Sequence, residues 1–190
     1  SLLWWQRLGT KTSLSVFGKF TRADGHYPFT LVNANTKTRE RRLNTDINSW
    51  QGEANLYHAF ADGGRLAAKL YGYASRRGLP GVIILYAEQS RERMWDEDVF
   101  AQATYDKELG KRLSLSARLK YTHSWNKYMD CGSQYAHGVD REVNRQDEGY
   151  GSATLGWRVA NGWSMALAAD VRIVLLQYPL QPLNNVLYDL

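Results

Sequence analysis

A single cysteine, Cys131, leaves this 190-residue sequence without an intramolecular disulfide. No run of about 18 apolar residues exists, which excludes a transmembrane helix, and no charged segment leads into an apolar one, so no secretory leader is read. The 4 histidines are scattered without metal-ligand spacing, and there is no phosphate-binding loop. Cys131-Gly132-Ser133 has neither a paired base nor a nucleophile elbow. Asp96-Glu97-Asp98 offers oxygen ligands to a hard cation, but strand alternation turns Glu97 away from its neighbours. The expectation is therefore no enzyme, no metal and no cofactor.

Phenylalanine is sparse as well, 5 residues against 7 tryptophans and 12 tyrosines, and rings with a polar tip suit an interface that is apolar at one end and wet at the other. The formal net charge of +5 admits nucleic acid, anionic lipid or a basic lumen and does not choose among them. A mean hydropathy of −0.50 does not exclude a membrane, because a barrel strand shows lipid only every second residue.

What is present is alternation. Leu113, Leu115, Ala117, Leu119 and Tyr121 share one parity, and Ser114, Ser116, Arg118, Lys120, Thr122 and Ser124 share the other. Successive strand residues point to opposite faces, so this is one long amphipathic strand. Across the turn 107–112, Val99, Ala101, Ala103 and Tyr105 oppose Asp98, Gln102, Thr104 and Asp106, which completes a hairpin.

The same pattern predicts strands over 11–21, 49–60, 65–75, 152–159 and 163–173, which with the hairpin makes seven. Ser1 to Thr10 has no clear period and reads as the tail of an earlier strand. Arg22–Asn48, Arg76–Arg91 and Asn126–Gly149 read as long polar loops, the first carrying the basic run Arg39 to Arg42, which is expected to meet solvent or lipid head groups. Ala61-Asp62-Gly63-Gly64 and Asn161-Gly162 read as tight turns. Residues 174–190, with Pro179 and Pro182, have no period. Connections thus alternate long and short, as in outer-membrane barrels with short periplasmic turns and long outer loops. Aromatics at strand ends, such as Phe20, Trp50, Tyr105, Trp125 and Trp163, fit interfacial girdles.

The expected fold is all-β: an antiparallel up-and-down transmembrane β-barrel, seen as a fragment of about seven strands. Seven is odd, and an open set leaves two unpaired edges, so residues 1–190 are expected to be part of a larger barrel.

Asn44-Thr45-Asp46-Ile47 with Trp50, Glu53 and Tyr57, and then Tyr71-Gly72-Tyr73-Ala74-Ser75-Arg76-Arg77-Gly78-Leu79-Pro80-Gly81-Val82, resemble the barrel region of TonB-dependent outer-membrane receptors of the cobalamin and siderophore type found in Bacteroidetes-like bacteria. Trp95-Asp96-Glu97-Asp98 and Tyr121-Thr122 fall where that family has equivalent strands. The resemblance runs from about Leu14 to Ile173, and Arg77 to Gly81 is its sharpest piece. It implies a 22-stranded barrel with a plug, taking up a scarce nutrient in the outer membrane of a Gram-negative bacterium with energy from the TonB complex. Plug, TonB box and C-terminal aromatic strand are not seen in this sequence, so contact with the TonB complex would lie elsewhere in the parent.

Ligand contacts are expected on lumen-facing and outer-loop groups: Lys69, Tyr71, Tyr73, Arg118, Lys120, Asp130 and Asp140. Arg77 to Gly81 is otherwise read as a turn, with proline presetting one dihedral and glycine supplying a positive φ. Expected partners are outer-membrane lipid and a small nutrient ligand, not nucleic acid, and the isolated piece is expected to self-associate. A soluble β-sandwich of lectin type, an outer-membrane enzyme and a plain porin are the alternatives.

Overall fold

The computed structural model describes residues 1–33, 35–81, 90–132, 135, 138–160 and 162–177. Val82, Ser133, Asn161, Pro179 and Pro182, which figured in the sequence reading, lie outside these. Ten strands are present: β1 (Leu2–Leu8), β2 (Thr12–Ala23), β3 (Tyr27–Asn33), β4 (Thr36–Arg42), β5 (Ile47–Ala59), β6 (Arg65–Gly78), β7 (Arg93–Glu108), β8 (Leu113–Cys131), β9 (Val139–Ala160) and β10 (Trp163–Gln177). Eight form one antiparallel sheet in the order β1-β2-β5-β6-β7-β8-β9-β10, and β3 pairs only with β4. The chain is all-β and antiparallel, with each strand of the large sheet beside its neighbour in sequence once the β3–β4 hairpin is set aside.

Three expectations are corrected. The large sheet has eight strands among the described residues rather than seven, because β1 belongs to it. Leu2, Leu3, Trp4 and Trp5 are apolar on both parities, so β1 carries no alternation, yet its backbone pairs with β2 from Leu2↔Gly18 to Leu8↔Thr12. Arg22–Asn48 is not simply a loop. It holds β3 and β4, whose alternation fails because Thr36–Arg42 is polar throughout. Asn126–Gly149 is mostly strand too: β8 runs on to Cys131 and β9 begins at Val139, paired through Asp130↔Asp140. Beyond the amphipathic stretch both faces of this hairpin are polar, so the period disappears while the backbone ladder continues.

Register decides which side chains share a face. Leu70↔Ala101, Ala101↔Tyr121, Tyr121↔Gly149 and Gly149↔Ile173 form one rung, and Ala68, Ala103, Leu119, Gly151 and Val171 form the next. On the far side of β6, Leu56 and Leu14 continue the second rung. This face is apolar from β2 to β10, and Phe20 packs on Trp50 across it at 4.4 Å between ring centroids, with the rings tilted by 38°. It forms an open trough of about 770 Å³ lined by residues such as Leu14, Leu56, Leu70, Leu119 and Val171. The opposite parity, including Arg118, Lys120, Asp170 and Arg172, forms a polar face.

None of the described residues covers the apolar face. Among the described residues no hydrophobic side chain is buried, and Leu119 and Leu167 are 65% and 74% exposed. Strands β1 and β10 are the two edges. A contiguous apolar surface and two unpaired strand edges both favour association in water. The chain is therefore expected to sediment as oligomers in detergent-free buffer and as a single small species in detergent. A clean monomer at tens of micromolar without detergent would contradict this.

Candidate functional site

The polar face gathers most of the residues singled out from sequence. Lys69, Gln102 and Lys120 form one rung; Tyr71, Phe100 and Thr122 form the next; Tyr73, Asp98 and Ser124 form the third. Arg118 sits one rung nearer the short turns, opposite Thr104, and is exposed. Five of the seven predicted residues thus share one patch. Asp130 and Asp140 lie on the same face but far away, opposed to each other at the tip of β8 and β9, where Asp130 accepts a hydrogen bond from the Tyr135 hydroxyl at 2.7 Å.

Phe100 organises the patch, and the sequence reading overlooked it. Its ring stacks on Tyr71 at 5.0 Å between centroids and 20° between planes. The Lys120 and Lys69 amines stand 5.2 and 6.0 Å from its centroid, within reach of a cation–π attraction. The available signal was an aromatic ring at polar parity between Asp98 and Gln102. Lys69 is also paired with Glu53 at 2.9 Å, and Glu53 accepts from Asn55 at 2.8 Å. Lys120 and Arg118 make no ion pair among the described residues. A rigid aromatic platform with two available cations and amide and hydroxyl groups around it suits a polar ligand bearing a ring or an anionic group.

Toward the long-loop end the same face closes into a hydrogen-bonded network. Asp96 accepts from Asn126 at 2.6 Å and Ser75 at 3.1 Å and pairs with Arg77 at 3.2 Å; Asp98 accepts from Ser124 at 2.7 Å. Glu97 has the opposite parity, so Asp96-Glu97-Asp98 does not converge. No cluster of three metal-ligating side chains occurs among the described residues.

The segments carrying the family resemblance meet in space at the foot of the long loops. Asn44 has a positive φ of 56°, which is tolerated by asparagine more than by most residues. Its side-chain amide donates to the Leu79 carbonyl at 2.9 Å and the Glu92 carbonyl at 2.8 Å. Arg93 forms two parallel 2.7 Å bonds to Asp46, and Arg42 at the end of β4 donates to the carbonyls of Pro80 and Gly81. The Asp46 carbonyl in turn accepts from the Gly78 amide at 2.9 Å. Gly78 and Gly81 do not have positive φ, contrary to the turn reading of Arg77–Gly81. Gly78 is required for another reason: a side chain there would run into the carbonyl and amide oxygen of Asn44.

The hydrogen bond from Arg93 holds the Asp46 carboxyl below its ordinary value of 3.8; burial opposes this and the charge of Arg93 adds to it. A carboxylate with a depressed folded pKa contributes stability above its unfolded value and loses it as pH falls through the folded one. Hydrogen exchange at the Gly78 and Leu79 amides should thus stay slow down to about pH 4 and quicken below it. Asp46→Asn should flatten that dependence, and an unchanged acid response would show that another group controls it. Asn44→Ala should cost roughly 1–3 kcal/mol, since two carbonyls lose their donor, read as a lower urea midpoint. The chain matches no family model and no curated protein sequence.

Proposed function

We propose that this chain forms part of the wall of an outer-membrane β-barrel of the TonB-dependent receptor type, serving uptake of a scarce nutrient such as a siderophore or cobalamin. One observation carries the reading: a single face, apolar across the strands of an eight-stranded sheet, has no layer of described residues against it, while the other face is joined by ion pairs and hydrogen bonds. Lipid is the solvent that suits such a face, and a polar lumen suits the other. A sandwich would bury the apolar side chains against a second sheet. The strands, up to 22 residues in β9, exceed the usual soluble length of about 5–6. The receptor assignment rests on the resemblance of Asn44–Ile47 and Tyr71–Val82; Asn44 and Asp46 from the first and Gly78 to Gly81 from the second join with Arg42 and Arg93 in one hydrogen-bonded latch at the foot of the long loops. Nutrient contacts are placed on the patch of Lys69, Tyr71, Tyr73, Phe100, Arg118 and Lys120.

Single cysteines on a Cys131→Ser background test the wall. A water-soluble thiol reagent should label positions 118 and 170 and leave 119 and 167 unlabelled in membranes; equal labelling would refute the face assignment. Ala117→Arg should destabilise the membrane-inserted form by about 2–4 kcal/mol near the midplane, and a lumen substitution by much less. Cells producing the receptor with Tyr71→Ala and Lys120→Ala should grow more slowly on limiting siderophore-bound iron or cobalamin at equal barrel abundance. Equal growth would remove this patch from ligand handling.

A further inference from the structure

Above the apolar trough, on the face that carries it, the side chains change character. Beyond Phe20, Trp50 and Trp125, the next rung runs Arg76↔Trp95↔Lys127. The Arg76 guanidinium and the Lys127 amine lie 5.6 and 4.5 Å from the Trp95 ring centroid. Arg145, opposite Trp125, and Arg141, opposite Met129, have the same parity on β9, and both are exposed.

Carboxylates in the sheet offset these cations only in part: the charge of Arg76 acts on Asp46 and that of Arg145 on Asp147. Arg76, Lys127, Arg141 and Arg145 form no ion pair among the described residues. Asp46 is paired with Arg93, whereas Asp147, bonded to the Tyr121 hydroxyl at 2.6 Å and to His123 at 2.7 Å, keeps its negative charge. Glu97, exposed beside Trp125, is a further carboxylate on this face, so that Arg76, Lys127, Arg141 and Arg145 stand against Asp147 and Glu97 while Arg93 is paired with Asp46. The patch therefore carries an excess of positive charge.

Its position selects the occupant. Tryptophan belongs at head-group depth, and guanidinium and ammonium groups beside an interfacial ring meet phosphate there. On the barrel-wall reading, on which this inference rests, the patch lies at the long-loop end and hence at the outer leaflet. We infer that Arg76, Lys127 and Arg145 around Trp95 form an outward-facing site for the phosphate-bearing head group of a membrane lipid. Trp95 sets the depth, Arg76 and Lys127 converge on the phosphate from either side of the ring, and Arg145 extends the positive field toward the tip of the β8–β9 hairpin.

Flotation of the parent barrel, refolded with phosphatidylcholine vesicles, tests the wall reading by itself, and a barrel that stays in the aqueous layer overturns both proposals. For the barrel in vesicles, spin-labelled phosphatidic acid and spin-labelled phosphatidylcholine report which lipid is held at the protein surface. Phosphatidic acid should be preferred several-fold, and added salt should weaken the preference, because head-group attraction is screened. The variant Arg76→Gln/Lys127→Gln/Arg145→Gln should lose the preference, while Arg118→Gln/Lys120→Gln on the opposite face keeps it. If the triple variant fails to insert, Lys127→Gln alone should lower the preference by about fivefold or less. Membrane insertion with no preference in the parent chain, or a preference that survives these changes, overturns the inference alone. So does loss of the preference to excess inorganic phosphate, which would mark a site for the free anion.

Discussion

The described structure follows from a sheet whose side chains are sorted by parity and whose apolar side has none of the described residues packed against it. In a soluble domain, the apolar faces of two layers stabilise one another. Here the long runs of backbone pairing from β5 to β10 hold the sheet together, and the hydrophobic contribution is deferred to whatever solvent covers the exposed leucines, valines and alanines. Without that solvent the ladder remains well formed while the surface is adverse. The polar side does the reverse: Glu53, Asp96, Asp98 and Glu148 are matched with donors from neighbouring strands, so that water or a ligand meets an ordered surface.

The two sides also differ in what they can recognise. Around Phe100, stacked rings and amines are held on three adjacent strands, where the scaffold fixes their spacing. Around Trp95, the cations lie at the boundary between apolar and wet surface, where they meet whatever lines that boundary. One sheet thus presents a ring-and-amine surface on its polar face and a tryptophan-and-cation surface on its apolar face, separated only by the thickness of a strand.

Parity was legible wherever one face is apolar, and so β2, β5, β6, β7, the first half of β8, the second half of β9, and β10 could be read from sequence. It was silent in three places for one reason. Trp4 and Trp5 are both apolar, Thr36–Arg42 is all polar, and the outer halves of β8 and β9 are polar on both faces, so no period distinguishes strand from loop. Pairing there is a backbone property, fixed by the partner strand. Lys69, Tyr71, Tyr73, Arg118 and Lys120 came together because parity and register sufficed. Phe100 was missed because an aromatic at polar parity looks like an exception to the pattern, when it is the platform on which that patch is built. The latch was half legible: its segments stood out, but the role of Gly78 is a close approach that only the fold reveals.

The fit of Asn44 over Gly78 has a consequence for assembly. Long, regular strands of small and alternating residues can slide past one another, and a slip of one residue would exchange the apolar and polar faces wholesale. Asn44 reaches the carbonyls of Leu79 and Glu92 only when β5, β6 and β7 are already aligned, and a bulkier residue slipped into the place of Gly78 would collide with it. The pocket over Gly78 therefore acts as a gauge: it closes on one alignment of three strands and rejects its neighbours. A misaligned hairpin cannot close the gauge, and so remains free to separate and pair again.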